Sequence, residues 1–124
     1  MTRILVVEDE IDLLDEVASF LRRRGLDVLT ANCHAEGLRV LRDSTQVIDI
    51  MLTDVRLPDG NGIDLIPVYF ERGGNRRTCF VMTGHYAQAQ ASGDLQGVRI
   101  FAKPFSLSQL YREIKAVIDV PQAA

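Results

Sequence analysis

Short apolar runs alternate with segments of helical period along the whole chain, and no other feature restricts the fold as much. The first run, Arg3 to Val7, ends in the acids Glu8-Asp9-Glu10. Behind it, Ile11, Leu14, Val17, Ala18 and Leu21 fall on one face of a helix. Acids crowd the first turn of that helix and Arg22-Arg23-Arg24 its end, as the helix dipole favours, and Gly25 supplies a stop. Val28 to Ala31 reads as a second strand. Asn32 is placed to cap a second helix whose apolar positions are Ala35, Leu38 and Leu41. Gly37 inside that helix costs about 1 kcal/mol against alanine, which points to close packing there.

The pattern then repeats. Ile50 to Leu52 leads through Thr53 to Asp54, and the turn-forming stretch Leu57-Pro58-Asp59-Gly60-Asn61-Gly62 follows. Ile63 to Arg72 is predicted as a helix whose first turns Pro67 weakens, and Gly73-Gly74-Asn75 closes it. Thr78 to Met82 is a fourth strand, Tyr86 to Ala91 a short helix, and Val98 to Ala102 a fifth strand. Ser106 with Gln109 matches a capping box, and Leu107, Leu110, Ile114 and Val117 form one face of the last helix.

Strands that alternate with helices in this way build a parallel sheet covered on both faces. The expected fold is therefore a doubly wound α/β domain. The flavodoxin-like order 2-1-3-4-5 for its five strands, with helices on both faces, is one natural choice. At 124 residues the chain holds about one domain, taken here as 1–120, with 121–124 as a tail.

Composition excludes little but does exclude something. Hydrophobic content of 47% and charged content of 25% suit an ordinary globular protein, and a net charge of -3 gives no electrostatic reason to expect direct nucleic-acid or membrane binding. Cys33 and Cys79 lie far apart without metal-ligand spacing, so a reduced, cytoplasmic setting is expected, with Cys79 as a small core residue. No apolar run approaches membrane-spanning length, and the N-terminus lacks a signal-peptide pattern.

In a parallel sheet all strand carboxyl ends share one edge, where open α/β sheets bind their ligands. That edge collects Glu8 and Asp9 from the first strand, Asp54 from the third, Thr83 from the fourth and Lys103 from the fifth. At about 4 Å and an effective dielectric near 20, each pair of carboxylates repels by about 4 kcal/mol. Lys103 offsets one charge, and a divalent cation offsets two more. An all-oxygen donor set completed by water suits Mg²⁺. Carboxylate, metal, hydroxyl and lysine are also the parts of phosphoryl transfer, in which Asp acts as nucleophile and forms an aspartyl phosphate.

Over nearly its whole length the chain resembles the response-regulator receiver domains of two-component signalling. The resemblance rests on Glu8-Asp9, on Asp54 with Pro58 and Gly62 at the family's offsets, on Thr83-Gly84, and on Lys103-Pro104-Phe105. It implies phosphorylation of Asp54 from the phosphohistidine of a sensor histidine kinase or phosphotransfer protein. It implies Mg²⁺ held by Asp9, Asp54 and the backbone carbonyl of Arg56, with Glu8 assisting through water. Lys103 and Thr83 would contact the phosphoryl group, and the Lys103-Pro104 bond would be cis. Such a domain is a signalling receiver rather than an enzyme, although it assists its own phosphorylation and dephosphorylation.

Two positions depart from the family pattern. Tyr or Phe usually stands three residues before the lysine, whereas this chain has Ile100 there and Phe101 next to it. The interval from Thr83 to Lys103 is also slightly short. The expected switch of Thr83 and a strand-five aromatic is thereby altered, and the loop after Thr83 is expected to carry the signal.

Two rival readings come from other classes. A phosphohydrolase with an aspartate nucleophile places a second Asp two residues on, where this chain has Arg56. A flavodoxin-like nucleotide binder needs hydroxyls and backbone amides after the first strand, where Glu8-Asp9-Glu10 would repel a phosphate.

Overall fold

The computed structural model describes residues 1–119, so the tail expected at 121–124 lies outside the described residues. Five strands and five helices alternate: β1 (Arg3–Val7), α1 (Ile11–Arg23), β2 (Asp27–Ala31), α2 (His34–Arg42), β3 (Ile50–Asp54), α3 (Leu65–Glu71), β4 (Cys79–Thr83), α4 (Tyr86–Ala91), β5 (Arg99–Ala102) and α5 (Leu107–Asp119). The strands pair in parallel in the order β2-β1-β3-β4-β5, which is the doubly wound order expected. A two-stranded ribbon, Arg56–Leu57 against Gly60–Asn61, follows β3.

Alternate strand residues feed two separate cores, as the pleat requires. Ile4, Val6, Ile50, Leu52, Phe80, Met82 and Phe101 pack against Leu14, Val17 and Leu21 of α1 and Leu110 and Ile114 of α5. Leu5, Val7, Met51, Cys79 and Val81 face Leu41, Leu65, Ile66, Tyr69 and Ala89 on α2, α3 and α4. Every residue of β3 and of β4 is buried, which explains why these strands read as continuous apolar runs.

Several local expectations hold. Gly25 ends α1 with φ of 90°, and Arg22 and Arg23 occupy the last turn. A β-carbon on Gly37 would stand 3.1 Å from Leu65 Cδ1 and 3.3 Å from Val7 Cγ2, so the glycine lets α2 approach the sheet and α3. Ser106 Oγ accepts the Gln109 N–H at 3.2 Å at the start of α5.

Three differences from the expected elements have a local reason. Asn32 does not cap α2. The helix starts at His34, the N-cap Cys33 makes no side-chain bond, and the carboxylate of Asp59 accepts the N–H groups of His34 and Ala35 instead. The third helix opens with a 3-10 turn at Gly62–Asp64, and its α-helical part runs only from Leu65. Pro67 then falls in the first turn, where a missing N–H costs no intrahelical bond. Strand β4 begins at Cys79 rather than Thr78. Asn75 and Thr78 close a capping box around the turn Arg76–Thr78 and take Thr78 out of the ladder.

Among the described residues no helix is long and apolar enough to cross a membrane.

Candidate functional site

Backbone hydrogen bonds extend the sheet by one residue at each strand end and so fix where the functional side chains emerge. Glu8 N–H donates to Ala31 O at 3.0 Å, Val55 N–H to Met82 O at 3.1 Å, and Lys103 N–H to Thr83 O at 2.8 Å. Cα pairings Val7 with Thr53 and Asp54 with Met82 set Glu8, Asp54 and Thr83 along one edge.

The side chains meet there. Lys103 Nζ donates to Glu8 Oε1 at 2.5 Å and to Asp54 Oδ2 at 2.8 Å. One carboxylate oxygen from each of Glu8, Asp9 and Asp54 lies within 4.8 Å of the others. Glu8 is fully buried and Asp54 7% exposed, whereas Asp9 reaches solvent. Three carboxylates thus face a single ammonium.

This imbalance is visible in the acidities. Burial pushes the Glu8 carboxyl up to about 7, with the charge of Asp54 adding to the rise, against bonds from Lys103 and the Glu10 N–H that favour the ionised form. Burial alone would lower the Lys103 ammonium, but its bonds to Asp54 and Glu8 outweigh that and hold it above the usual lysine value. The lysine therefore stays charged, and the acids are the groups left in need of a counter-charge.

The donor set fits a hard divalent cation. It is oxygen only, the oxygens converge, and Asp9 leaves the cluster open to solvent on one side, as a cation that keeps several waters requires. Arg56 lies two residues beyond Asp54, and its N–H points to Asp54 Oδ1 at 3.4 Å.

Thr83 is buried at the end of β4, and its Oγ1 accepts the His85 N–H at 2.9 Å, which leaves the hydroxyl proton available to donate. The Lys103-Pro104 peptide bond is cis, as the resemblance implied. Phe101 stacks on Phe80 with centroids 6.1 Å apart and meets Phe105 in a tilted pair at 6.0 Å, on the α1 and α5 side of the sheet. Ile100 pairs with Val81 and packs on the opposite side, in the core of α2, α3 and α4.

One residue near the site had no sequence signal. Asp59 reads only as a turn residue, although it caps α2 across 25 positions. Glu8 was expected at this edge, and the structure adds that it is fully buried and paired with Lys103. Its burial follows from the register of β1 against β3, which no local pattern announces.

Comparison with known proteins agrees with this geometry. Residues 4–115 match the response regulator receiver domain family, and the chain belongs to that family: it is a signalling module of two-component systems. A probable transcriptional regulatory protein of Picosynechococcus sp. is 30% identical over 94% of this chain and 49% of its own length. The transcriptional regulatory protein CpxR of Escherichia coli K12 is 27% identical, covering 95% of this chain and 50% of its own. A response regulator receiver protein from Sinorhizobium medicae has the same fold, with a TM-score of 0.85 and 26% identity over 96% of this chain and 95% of that one. The chain spans about half the length, or less, of the curated relatives it matches.

Proposed function

We propose that Asp54 is the phosphoacceptor and that it takes its phosphoryl group from the phosphohistidine of a histidine kinase or phosphotransfer protein. One observation carries this reading: the nearly buried Asp54 carboxylate lies 2.8 Å from Lys103 Nζ and within 4.8 Å of the oxygens of Glu8 and Asp9. An Asp54 oxygen bonds to phosphorus, the phosphorus–nitrogen bond of the donor breaks, and its electron pair returns to the imidazole, which recovers a proton.

Each residue has a part in that exchange. Lys103 holds the attacking carboxylate in place and then offers its positive charge to the phosphoryl oxygens. Thr83 donates its hydroxyl proton to one of those oxygens. Asp9 and Asp54, with the backbone carbonyl of Arg56 and with Glu8 through water, would hold Mg²⁺. That ion supplies charge neutralisation at the phosphoryl group when bound. The same arrangement lets the domain assist its own phosphorylation and, with water as acceptor, its own dephosphorylation.

The phosphorylated site then changes a partner-binding surface through the loop after Thr83. Net charge of -3 argues against direct nucleic-acid binding by this domain, and a kinase-facing receiver belongs in the cytoplasm. The hydrolase reading lacks its general acid, because Arg56 stands in that position.

Intact mass after incubation with acetyl phosphate and Mg²⁺ tests the assignment. One added phosphoryl group is expected on the wild type and none on Asp54→Asn; equal labelling of both proteins overturns it.

A further inference from the structure

Helix α2 is held at both ends by side chains from another part of the chain. At its N-terminus Asp59 Oδ1 accepts the His34 N–H at 2.7 Å and Asp59 Oδ2 the Ala35 N–H at 3.0 Å. At its C-terminus the Arg72 guanidinium donates to the carbonyl oxygens of Leu41, at 2.7 Å, and of Gln46. An anion at the first turn and a cation at the last both match the helix dipole. The bonds to His34 and Ala35 also hold the Asp59 carboxyl below the usual aspartate value.

The clamp works in both directions. Asp59 sits at the tip of the ribbon that leaves Asp54, with Arg56 and Leu57 paired to Asn61 and Gly60. The base of that ribbon is closed by Gly62 N–H to Val55 O at 2.7 Å. Its far side leans on α2 directly: a β-carbon on Gly60 would stand 3.1 Å from His34 Cγ. The ribbon is thus anchored to β3 at one end and to α2 at the other. Arg56 lies between the two anchors, on the strand that starts beside Asp54.

We propose that Asp59 is a positioning residue for the cation site, setting through its two bonds to α2 where the Arg56 backbone stands beside Asp54. This rests on the reading of Asp54 and Arg56 given above. Asp59 itself is exposed and bonds only backbone N–H groups of α2. Its contribution is the hydrogen bonds, so Asp59→Asn, which keeps one of the two acceptor oxygens, retains part of the function and Asp59→Ala loses it.

Calorimetric titration with MgCl2, paired with amide hydrogen exchange on the metal-free proteins, tests this. Asp59→Ala is expected to bind Mg²⁺ about tenfold more weakly, in line with other residues that orient metal ligands. Its His34 and Ala35 amides and those of residues 56–61 should exchange faster before any metal is added. Asp59→Asn, with one acceptor oxygen left, should fall between wild type and Asp59→Ala in both. Wild-type affinity in Asp59→Ala overturns the positioning role alone. Undiminished Mg²⁺ binding by Asp54→Asn overturns the site reading and the positioning role with it. Should Asp59→Ala not fold, Asp59→Ser offers one shorter acceptor: intermediate affinity supports the role, and wild-type affinity overturns it.

Discussion

A β-carbon on Gly62 would stand 1.8 Å from the carbonyl oxygen of Asp54 and 2.7 Å from Thr53 Oγ1. The loop that returns from the ribbon therefore passes against the end of β3 at backbone contact distance, and only a residue without a side chain fits. Gly62→Ala must push the end of β3 or the start of the third helix aside. We expect it to destabilise the domain by about 3 kcal/mol, the upper range for overpacking. Labelling of Asp54 by acetyl phosphate should fall with it. Chemical denaturation and intact mass measure the two effects, and a Gly62→Ala protein as stable as wild type would show that the close approach is relaxed at no cost.

The clustered acids lead to a second expectation. Glu8, Asp9 and Asp54 bring three carboxylates to one ammonium, so removing one carboxylate relieves repulsion while the Lys103 bond to Glu8 remains. Asp54→Asn should melt higher than wild type in the absence of metal. Mg²⁺ should raise the wild-type melting temperature by mass action, reaching about 2.7 kcal/mol when its concentration is a hundred times its dissociation constant. Thermal melts with EDTA and with MgCl2 provide the comparison. A lower metal-free melting point for Asp54→Asn would mean that the bond from Lys103 outweighs the repulsion.

Alkali should weaken the fold through two buried groups on the α3 side. Burial pushes the Cys79 thiol up to about 12, and burial also pushes the Tyr69 phenol up to about 12. Their ordinary values are 9.0 and 10.0, so above pH 9 the unfolded chain releases protons that the folded one retains. Both raised values thus contribute stability that is complete below pH 9 and is lost as pH rises toward 12. Denaturation midpoints should fall steadily across that window, and Cys79→Ala should fall less steeply than wild type. At pH 8 iodoacetamide should modify the half-exposed Cys33 and leave buried Cys79 intact until the protein unfolds.

The edge carrying Glu8, Asp9, Asp54, Thr83 and Lys103 was legible in the sequence for one physical reason. A strand buried on both faces must be apolar throughout, so its first charged residue marks the sheet edge. Local pattern had nothing comparable to say where distant groups compete for a local role. Asn32 is a good cap by type, but Asp59 reaches α2 first with two oxygens. Thr78 is a good strand residue by type, but its hydroxyl and N–H are bound by Asn75. The opposite placement of Ile100 and Phe101 was legible, because strand side chains must alternate.

That alternation sets the last expectation, which concerns how phosphorylation is read out. Ile100 stands three residues before Lys103, where the resemblance implies a mobile aromatic, and packs, partly buried, against the core of α2, α3 and α4. It is β-branched and stiff at χ1, with no ring to swing toward Thr83. Phe101 does not substitute for it, because its ring packs between Phe80 and Phe105 on the other face of the sheet. The path left open runs through the residues that follow Thr83. Its Oγ1 holds the His85 N–H at 2.9 Å, directly before α4, so a phosphoryl group that draws the hydroxyl toward Asp54 pulls on that bond. The segment downstream is short-ranged and loosely built: α4 spans only Tyr86–Ala91, and a positive-φ glycine, Gly97, closes the loop before β5. Amide hydrogen exchange should therefore change on phosphorylation chiefly between Gly84 and Gly97, with little change at Ile100. Thr83→Ala should keep the phosphoryl group on Asp54 yet lose most of that change. A response centred on Ile100 and Phe101, or one that survives Thr83→Ala, would show that the signal leaves the site by another route.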